Sequence, residues 1–351
     1  MHLSALITGT NSNLGLNIAY RLLEEVPTGD KLTIIVTSRT LPKAREAIDK
    51  IKEYNEKHAH REGILSFDYI LVDFSNMVSI LGAVYELKKS HEKIDYLFIN
   101  AAQGVYAGID WIQATKEVLA NPVKASTFPT YKIQRVGVKS RDGLGLVFQA
   151  NVFGPYYFVQ QLAEPLLSKS PSPKVVWISS IMSKPSYLSF ADLQLLQSDI
   201  SYEGSKRLVD LLHLATYKDL HTKYGITQYL THPGIFTSFS FFQYLNPFTF
   251  YGMLLMFYVA RLFGSPWHNI SGWTAANAPL FACLKAHPAH DSQEKKYGSA
   301  CSYNGKEYLK VTDVDPSGKA DVAKYFQDLK LQWDDRLKDQ ISDTRKIYAD
   351  S

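Results

Sequence analysis

Leu3-Ser-Ala-Leu-Ile-Thr-Gly-Thr-Asn-Ser-Asn-Leu-Gly15 puts a short apolar run directly before a glycine-rich turn, and Asn17–Glu25 continues with helical character. This is strand, turn and helix in the order that suits a pyrophosphate. Glycines let the backbone approach the phosphates, and the helix N-terminus offers free N–H groups and a favourable dipole. The spacing, Gly9 followed by five residues and Gly15, departs from the common G-x-G-x-x-G. An ordinary strand-to-helix turn is the competing reading. Position favours the cofactor, because the turn opens the first βα unit.

Working outward, Leu32–Thr37, Phe67–Val72, Ile94–Ile99, Lys174–Ile178 and Ile226–Leu230 read as buried strands. Pro42–Lys57, Met77–His91, Phe148–Leu167 and Ser201–Lys223 read as helices between them. Apolar strands alternating with helices indicate a parallel sheet covered on both faces. The predicted fold is α/β, a Rossmann-type doubly wound parallel sheet in a single domain with insertions. The expected division is a catalytic core over 1–238, an apolar segment over 239–270, and a C-terminal completion with a charged helical tail over 271–351. Insertions fall at about 104–146 and 185–200, and interruptions of that length are usually functional or disordered.

The 351 residues carry 38 basic and 34 acidic side chains, a net charge of +4, with no long basic block. That argues against a nucleic-acid binder, which needs a concentrated basic stripe. Cys283 and Cys301 suggest neither a disulfide framework nor a zinc site, and a reducing environment follows. Met1–Thr8 has no charged region ahead of its apolar run, so no signal peptide is expected there. His213, His221 and His232 lack ligand spacing with acids or cysteines and are read as structural.

The end of the second strand bears on cofactor choice. An NAD site normally places an acid there for the ribose 2′-OH. This chain has Ser38-Arg39, with Lys43 and Arg45 close behind. An arginine suits a 2′-phosphate through charge and fork geometry, so NADPH is expected; the alternative is a solvated surface arginine. Tyr202 and Lys206 lie four residues apart, on one face of a helix. A nearby cation favours the phenolate and lowers a tyrosine's pKa, which makes the pair a candidate proton donor.

With these residues in place the chain resembles the short-chain dehydrogenase/reductase family across Leu3–Ser238. The likeness rests on Thr8-Gly9 with Gly15, Asp73, Asn100-Ala-Ala102, Asn151, Ser179-Ser180, Tyr202 with Lys206, and Pro233-Gly234. Phe148-Gln-Ala-Asn-Val-Phe-Gly-Pro-Tyr-Tyr157, Val176-Trp-Ile-Ser-Ser-Ile-Met-Ser183 and Leu262-Phe-Gly-Ser-Pro-Trp-His-Asn269 extend it towards that family's sterol-synthesising 3-keto-steroid reductases. The resemblance implies that Gly9, Asn13, Leu14, Gly15 and Leu16 cradle the pyrophosphate. It places Asp73 at the adenine and Asn100 beside the ribose, and gives Ile235, Thr237 and Ser238 contacts on the nicotinamide side. Lys206 would bind the nicotinamide ribose and lower the pKa of Tyr202. Asn151 would kink its helix and hold a water in a proton relay.

The family's serine lies about 13 residues before the tyrosine. Here Ser180 lies 22 before Tyr202, and Ser189 lies 13 before it. Ser180 is favoured because it follows a strand end, with Ser189 as the alternative. The implied reaction is NADPH-dependent reduction of a 4-demethylated 3-ketosterol; the alternatives are another steroid or retinoid ketone, or a scaffold role in a sterol-synthesising complex beside catalysis. The implied location is the cytosolic face of the endoplasmic reticulum and lipid droplets, with a lanosterol-forming cyclase and a small membrane scaffold as partners. Phe248–Ala260, thirteen uncharged residues, is too short to span a bilayer. It reads as a buried core helix or substrate lid, or as an in-plane membrane helix. Ala320–Lys346, with Val322, Tyr325, Phe326, Leu329 and Leu331 at helical spacing, reads as a helix packed on the domain, with a partner-binding surface as the alternative.

Overall fold

Eight strands form one sheet in the computed structural model, which describes residues 2–61, 63–237 and 246–349, the stretch 341–349 as helix backbone. The first half runs β1 (His2–Ile7), α1 (Asn13–Glu25), β2 (Lys31–Ser38), α2 (Leu41–Tyr54), β3 (Leu65–Leu71), α3 (Met77–Ser90) and β4 (Tyr96–Ile99). Then come β5 (Tyr106–Ile109), α4 (Trp111–Ala120), α5 (Pro122–Thr127), β6 (Lys132–Gln134), α6 (Leu146–Phe148) and α7 (Gly154–Ala163). The rest is β7 (Lys174–Ile178), α8 (Ser201–Tyr224), β8 (Thr227–His232), β9 (Ile235–Phe236), α9 (Pro247–Leu262), β10 (His268–Ile270), α10 (Gly272–Ala275), α11 (Asn277–Leu280), β11 (Lys296–Cys301), β12 (Glu307–Thr312) and α12 (Lys319–Ala349).

The sheet order is β12-β11-β8-β7-β4-β1-β2-β3. All neighbours are parallel except β12, which runs antiparallel to β11 along the edge. Successive strand residues feed opposite cores. Leu6, Ile35, Leu97, Val175 and Trp177 enter one, with α3, α7, α8 and α12. Ile7, Ile34, Phe98, Val176 and Ile178 enter the other, with α1, α2, α10 and α11. This two-sided burial explains why the strands are apolar at nearly every position. The order reverses beside β1, between β4 and β2, so the loops after those strands open the crevice where such sheets bind ligands.

Three expectations are corrected. The apolar runs indicate six strands, and the sheet also holds β11 and the antiparallel β12. The insertion over 104–146 is folded: β5 and β6 pair as an antiparallel ribbon and enclose α4 and α5. In α12 the inward stripe is Val322, Phe326, Leu329, Trp333 and Leu337, all buried, whereas Leu331 is exposed. The helix packs against α8, as predicted for the domain.

Candidate active site

The glycine turn is built for close backbone approach. Gly9 has φ +65°, and a Cβ there would stand 3.1 Å from Ala101 Cα. A Cβ on Gly15 would stand 2.5 Å from the Gly9 carbonyl oxygen, so only glycine lets α1 start against the turn. Ser12 is the N-cap of α1, its hydroxyl accepting from Gly15 N at 3.0 Å. Asn100 ties the end of β4 to this loop, donating from Nδ2 to Thr8 O, Gly9 O and Ser12 Oγ at 2.8, 3.1 and 3.1 Å.

Gly9, Ser12, Asn100 and Ala101 of this turn wall a cavity of about 350 Å³, whereas Gly15, expected at the pyrophosphate, is not in its wall. Gly9, Ser38, Arg39, Asp73 and Asn100, all expected at a cofactor, line it, as does Lys43. Arg39 reaches across the mouth, Nη1 to Gln103 Oε1 at 3.4 Å. Asp73 is held by Ser75, whose N–H and hydroxyl both donate to its Oδ1. The bare glycine backbone, the capped start of α1 and the Arg39–Lys43 cations suit an anionic dinucleotide. Other expected residues lie elsewhere. Leu14 and Leu16 are buried in the core beneath the turn. Arg45 is exposed on α2 and is absent from the cavity wall. Asn13 donates from Nδ2 to Thr237 O at 2.6 Å, joining α1 to the segment that carries Ile235 and Thr237. Ser238 lies outside the described residues. Asn11, Ser12, Thr37 and Gln103 also line the cavity and were missed; the N-cap preference for serine before a helix would have found Ser12.

A chain of hydrogen bonds connects the cavity to α8. Asn151 is buried where the helix widens to one π-type turn, Gln149–Phe153. Its Oδ1 accepts from Gln103 N at 2.8 Å, and its Nδ2 donates to Gln103 O and Ser205 Oγ at 2.9 and 3.0 Å. Ser205 Oγ in turn donates to Tyr202 O. Asn151 therefore sits within the irregular turn and clamps the cavity wall to the tyrosine's turn.

Tyr202 and Lys206 share a face of α8, with Lys206 Nζ 5.6 Å from the Tyr202 ring centroid. That ammonium donates to Ile178 O at 2.9 Å, at the end of β7. Burial pushes the Tyr202 phenol up from its ordinary value, and the Glu203 carboxylate pushes the same way. Burial pulls Lys206 down to about 8; Asp210 opposes that and Lys296 adds to it. The Tyr202 phenol therefore lies above its ordinary value rather than below it, with burial the largest cause. Ser180 follows β7, its Oγ accepting from Met182 N at 3.0 Å. Ser189 is exposed in the segment leading to α8.

The start of α8 is capped from a distance, which no sequence signal could reveal. Buried Gln134 on β6 accepts at Oε1 from Ser201 Oγ at 3.0 Å and Tyr202 N at 2.9 Å. Its Nε2 donates to Glu203 Oε2 at 2.6 Å. Tyr106 on β5 lies against Tyr202, ring centroids 6.1 Å apart. The 104–146 insertion therefore positions the candidate proton donor. Buried His213 and His232 are pulled down to about 4 and about 3 by desolvation and stay neutral. Among the described residues there is no cluster of potential metal ligands.

The chain matches the short chain dehydrogenase family over residues 4–243. A 3-keto-steroid reductase of Kluyveromyces lactis is 62% identical across 97% of each chain. That of Saccharomyces cerevisiae is 58% identical over 97% of this chain and 98% of its own, and one from Yarrowia lipolytica is 40% identical over the same shares. A 7 alpha-hydroxysteroid dehydrogenase, solved with NADH and 7-oxo glycochenodeoxycholic acid, shares the fold at TM-score 0.56 and 17% identity, covering 88% of this chain and 96% of that one. Members of this family work with a nicotinamide cofactor, and the cavity lined by Gly9, Asp73 and Asn100 is the candidate place for it in this chain. The chain belongs to the short-chain dehydrogenase family and, by identity along almost its whole length, to the 3-keto-steroid reductases within it.

Proposed function

We propose that the protein reduces the C3 ketone of a 4-demethylated sterol, such as zymosterone, to the 3β-alcohol with NADPH. The observation that carries the reading is a protonatable Tyr202 beside Lys206, on a chain 57–62% identical to seven yeast proteins named 3-keto-steroid reductase. Bound NADPH supplies the hydride that the carbonyl carbon takes up. As negative charge grows on the oxygen, Ser180 and Tyr202 hydrogen-bond it. Burial keeps the Tyr202 phenol in its acid form through neutral pH, so it holds the proton that the nascent alkoxide requires. Lys206 stays cationic below about pH 8 and stabilises the phenolate left behind. Arg39 and Lys43 at the cavity mouth favour a 2′-phosphate, which supports NADPH over NADH. NADPH consumption with zymosterone, set against 17-ketosteroids and retinal, tests the assignment. Preferential turnover of either competitor refutes the substrate.

The same reading includes attachment to the cytosolic face of the endoplasmic reticulum or to lipid droplets. Helix α9 turns Phe248, Tyr251, Leu255, Tyr258 and Leu262 to solvent along one stripe, while Phe257 and Ala260 face inward. That pattern supports an in-plane helix over a buried one. The helix has 16 residues, and no helix among the described residues is long and apolar enough to cross a membrane. A lanosterol-forming cyclase or a small membrane scaffold would find the same apolar stripe. Flotation with anionic liposomes tests the attachment: Tyr251→Glu with Leu255→Glu should leave the protein at the bottom of the gradient, and undiminished flotation refutes the role of the stripe.

A further inference from the structure

Behind the candidate catalytic residues lies an ion pair that the reaction as described does not use. Lys296, the first residue of β11, is buried, and so is Asp210 on α8. Lys296 Nζ donates to Asp210 Oδ2 at 2.5 Å, to Ser183 Oγ at 2.5 Å and to Ser180 O at 3.3 Å, using all three of its protons. Asp210 spends its other oxygen on Ser179 Oγ at 2.5 Å. It lies one helical turn beyond Lys206 and two beyond Tyr202, on the same face of α8. The peptide from Ile178 to Ser183, which carries Ser180, is thereby gripped at four points: Ile178 O by Lys206, Ser179 by Asp210, and Ser180 O and Ser183 by Lys296.

We propose that Lys296 and Asp210 are a positioning pair for ketone reduction, fixing the segment that bears Ser180 against the Tyr202–Lys206 face of α8. The proposal rests on the reductase reading above. Stability alone explains the pair poorly. Removing two charges from water costs about what their attraction returns, and apolar residues of similar volume often serve as well or better. Geometry explains it better, since one ammonium joins β11, α8 and the end of β7, three elements that meet only in the tertiary fold. Displacing a reacting group by about 1 Å can cost about 10²-fold in rate, so a grip of this kind acts on kcat.

The pair also bears on Lys206. The charged and titratable groups around that ammonium are Tyr202 and Asp210 on its own helix and Lys296 from β11, with Arg207 beside Asp210 and His232 beside Lys296. Asp210 and Lys296 push Lys206 in opposite directions. Removing only the carboxylate leaves two ammonium groups facing each other.

The test uses the full chain and three variants: Lys296→Met with Asp210→Leu, Asp210→Asn alone, and Lys296→Arg. Wild type is assayed first with zymosterone and a simple cyclic ketone, and NADPH binding is followed by fluorescence without turnover. The double apolar variant is expected to melt at or above the wild-type temperature and to bind NADPH within about threefold, with kcat reduced by roughly 10- to 100-fold. Asp210→Asn should move the alkaline limb of kcat/KM to lower pH, and Lys296→Arg should recover most of kcat. A double variant that folds and turns over within threefold of wild type overturns the proposal, as does an unmoved limb in Asp210→Asn. A wild type that binds NADPH and reduces no ketone overturns the assigned reaction, and the role of the pair with it.

Discussion

Replacing Gln134 with leucine removes the polar cap at the start of α8 while keeping similar bulk. In the native protein Gln134 serves three groups: the Ser201 hydroxyl, the Tyr202 N–H and the Glu203 carboxylate. The Ser201 hydroxyl can rotate to another acceptor. The Tyr202 N–H and the carboxylate of buried Glu203 are left without this partner. A buried group stripped of its hydrogen bond costs about 1–3 kcal/mol, and a charged group at least the upper figure, so about 1 kcal/mol for the N–H and about 3 kcal/mol for the carboxylate give about 4 kcal/mol in all. Unfolding entropy of about 2.1 cal/mol/K per residue gives this chain about 0.74 kcal/mol/K, so the melting temperature should fall by about 5 °C. The functional consequence is separable from that loss. Tyr202 is the second residue of α8, so relaxation of its first turn moves the phenol directly, and kcat should fall by about 10-fold. NADPH affinity should hold, because the glycine turn, Asp73 and Asn100 belong to other loops. Thermal melts, NADPH titration and steady-state kinetics on one preparation separate these outcomes. A lowered melting temperature with unchanged kcat would reduce Gln134 to a structural prop. No change in either would refute the reasoning.

Arg39→Asp should lower kcat/KM for NADPH by at least 10-fold and raise it for NADH; a charge-assisted hydrogen bond contributes about 1.5–3 kcal/mol, taken at its lower end for an exposed side chain. Unchanged kinetics with both cofactors would exclude Arg39 from 2′-phosphate binding. Ser180→Ala should cost about 10²- to 10³-fold in kcat, the usual loss of an oxyanion donor, and Ser189→Ala almost nothing; the reverse result would move the catalytic role to Ser189. Tyr202→Phe should lower kcat by about 10²- to 10⁴-fold or more with NADPH binding intact, as loss of a general acid predicts. The pH profile follows from Lys206, whose pKa burial lowers from 10.5 to about 8. The ammonium is present below that value, so kcat/KM, which reports the free enzyme, should be level near neutrality and fall as pH rises through about 8. A limb that appears only near 10 would refute the lowering of the Lys206 pKa by burial.

The parts of the fold that the sequence discloses are those whose residues betray their surroundings locally. Ile34-Ile-Val36 and Val175-Val176 can only be strands buried on both faces, and Gly9 and Gly15 announce a backbone that tolerates no side chain. Strand β11 escapes notice because Lys296-Tyr-Gly-Ser-Ala-Cys301 offers no β-branched residue, although all six positions are buried. Its neighbours select small and polar side chains there: Gly298 leaves room for the His232 ring, and Ser299 donates to Ala275 O. Apolar α9 misleads in the opposite sense. Composition measures its affinity for a non-aqueous phase but not on which side that phase lies, and the structure turns the stripe from Phe248 to Leu262 outward. The active site divides along the same line. Tyr202 and Lys206 are visible because one helix carries both. Gln134 and Lys296, which hold the helix start and the serine-bearing peptide, bind partners 67–69 and 86–116 residues away. The reversed shift at Tyr202 has the same origin. A lysine one turn away is legible as charge, whereas the burial of the phenol is set by the tertiary fold, which lays Tyr106 of β5 against its ring. The sign of a pKa shift depends on which contribution is larger, so it belongs to the tertiary structure even when both residues of the motif are in plain sight.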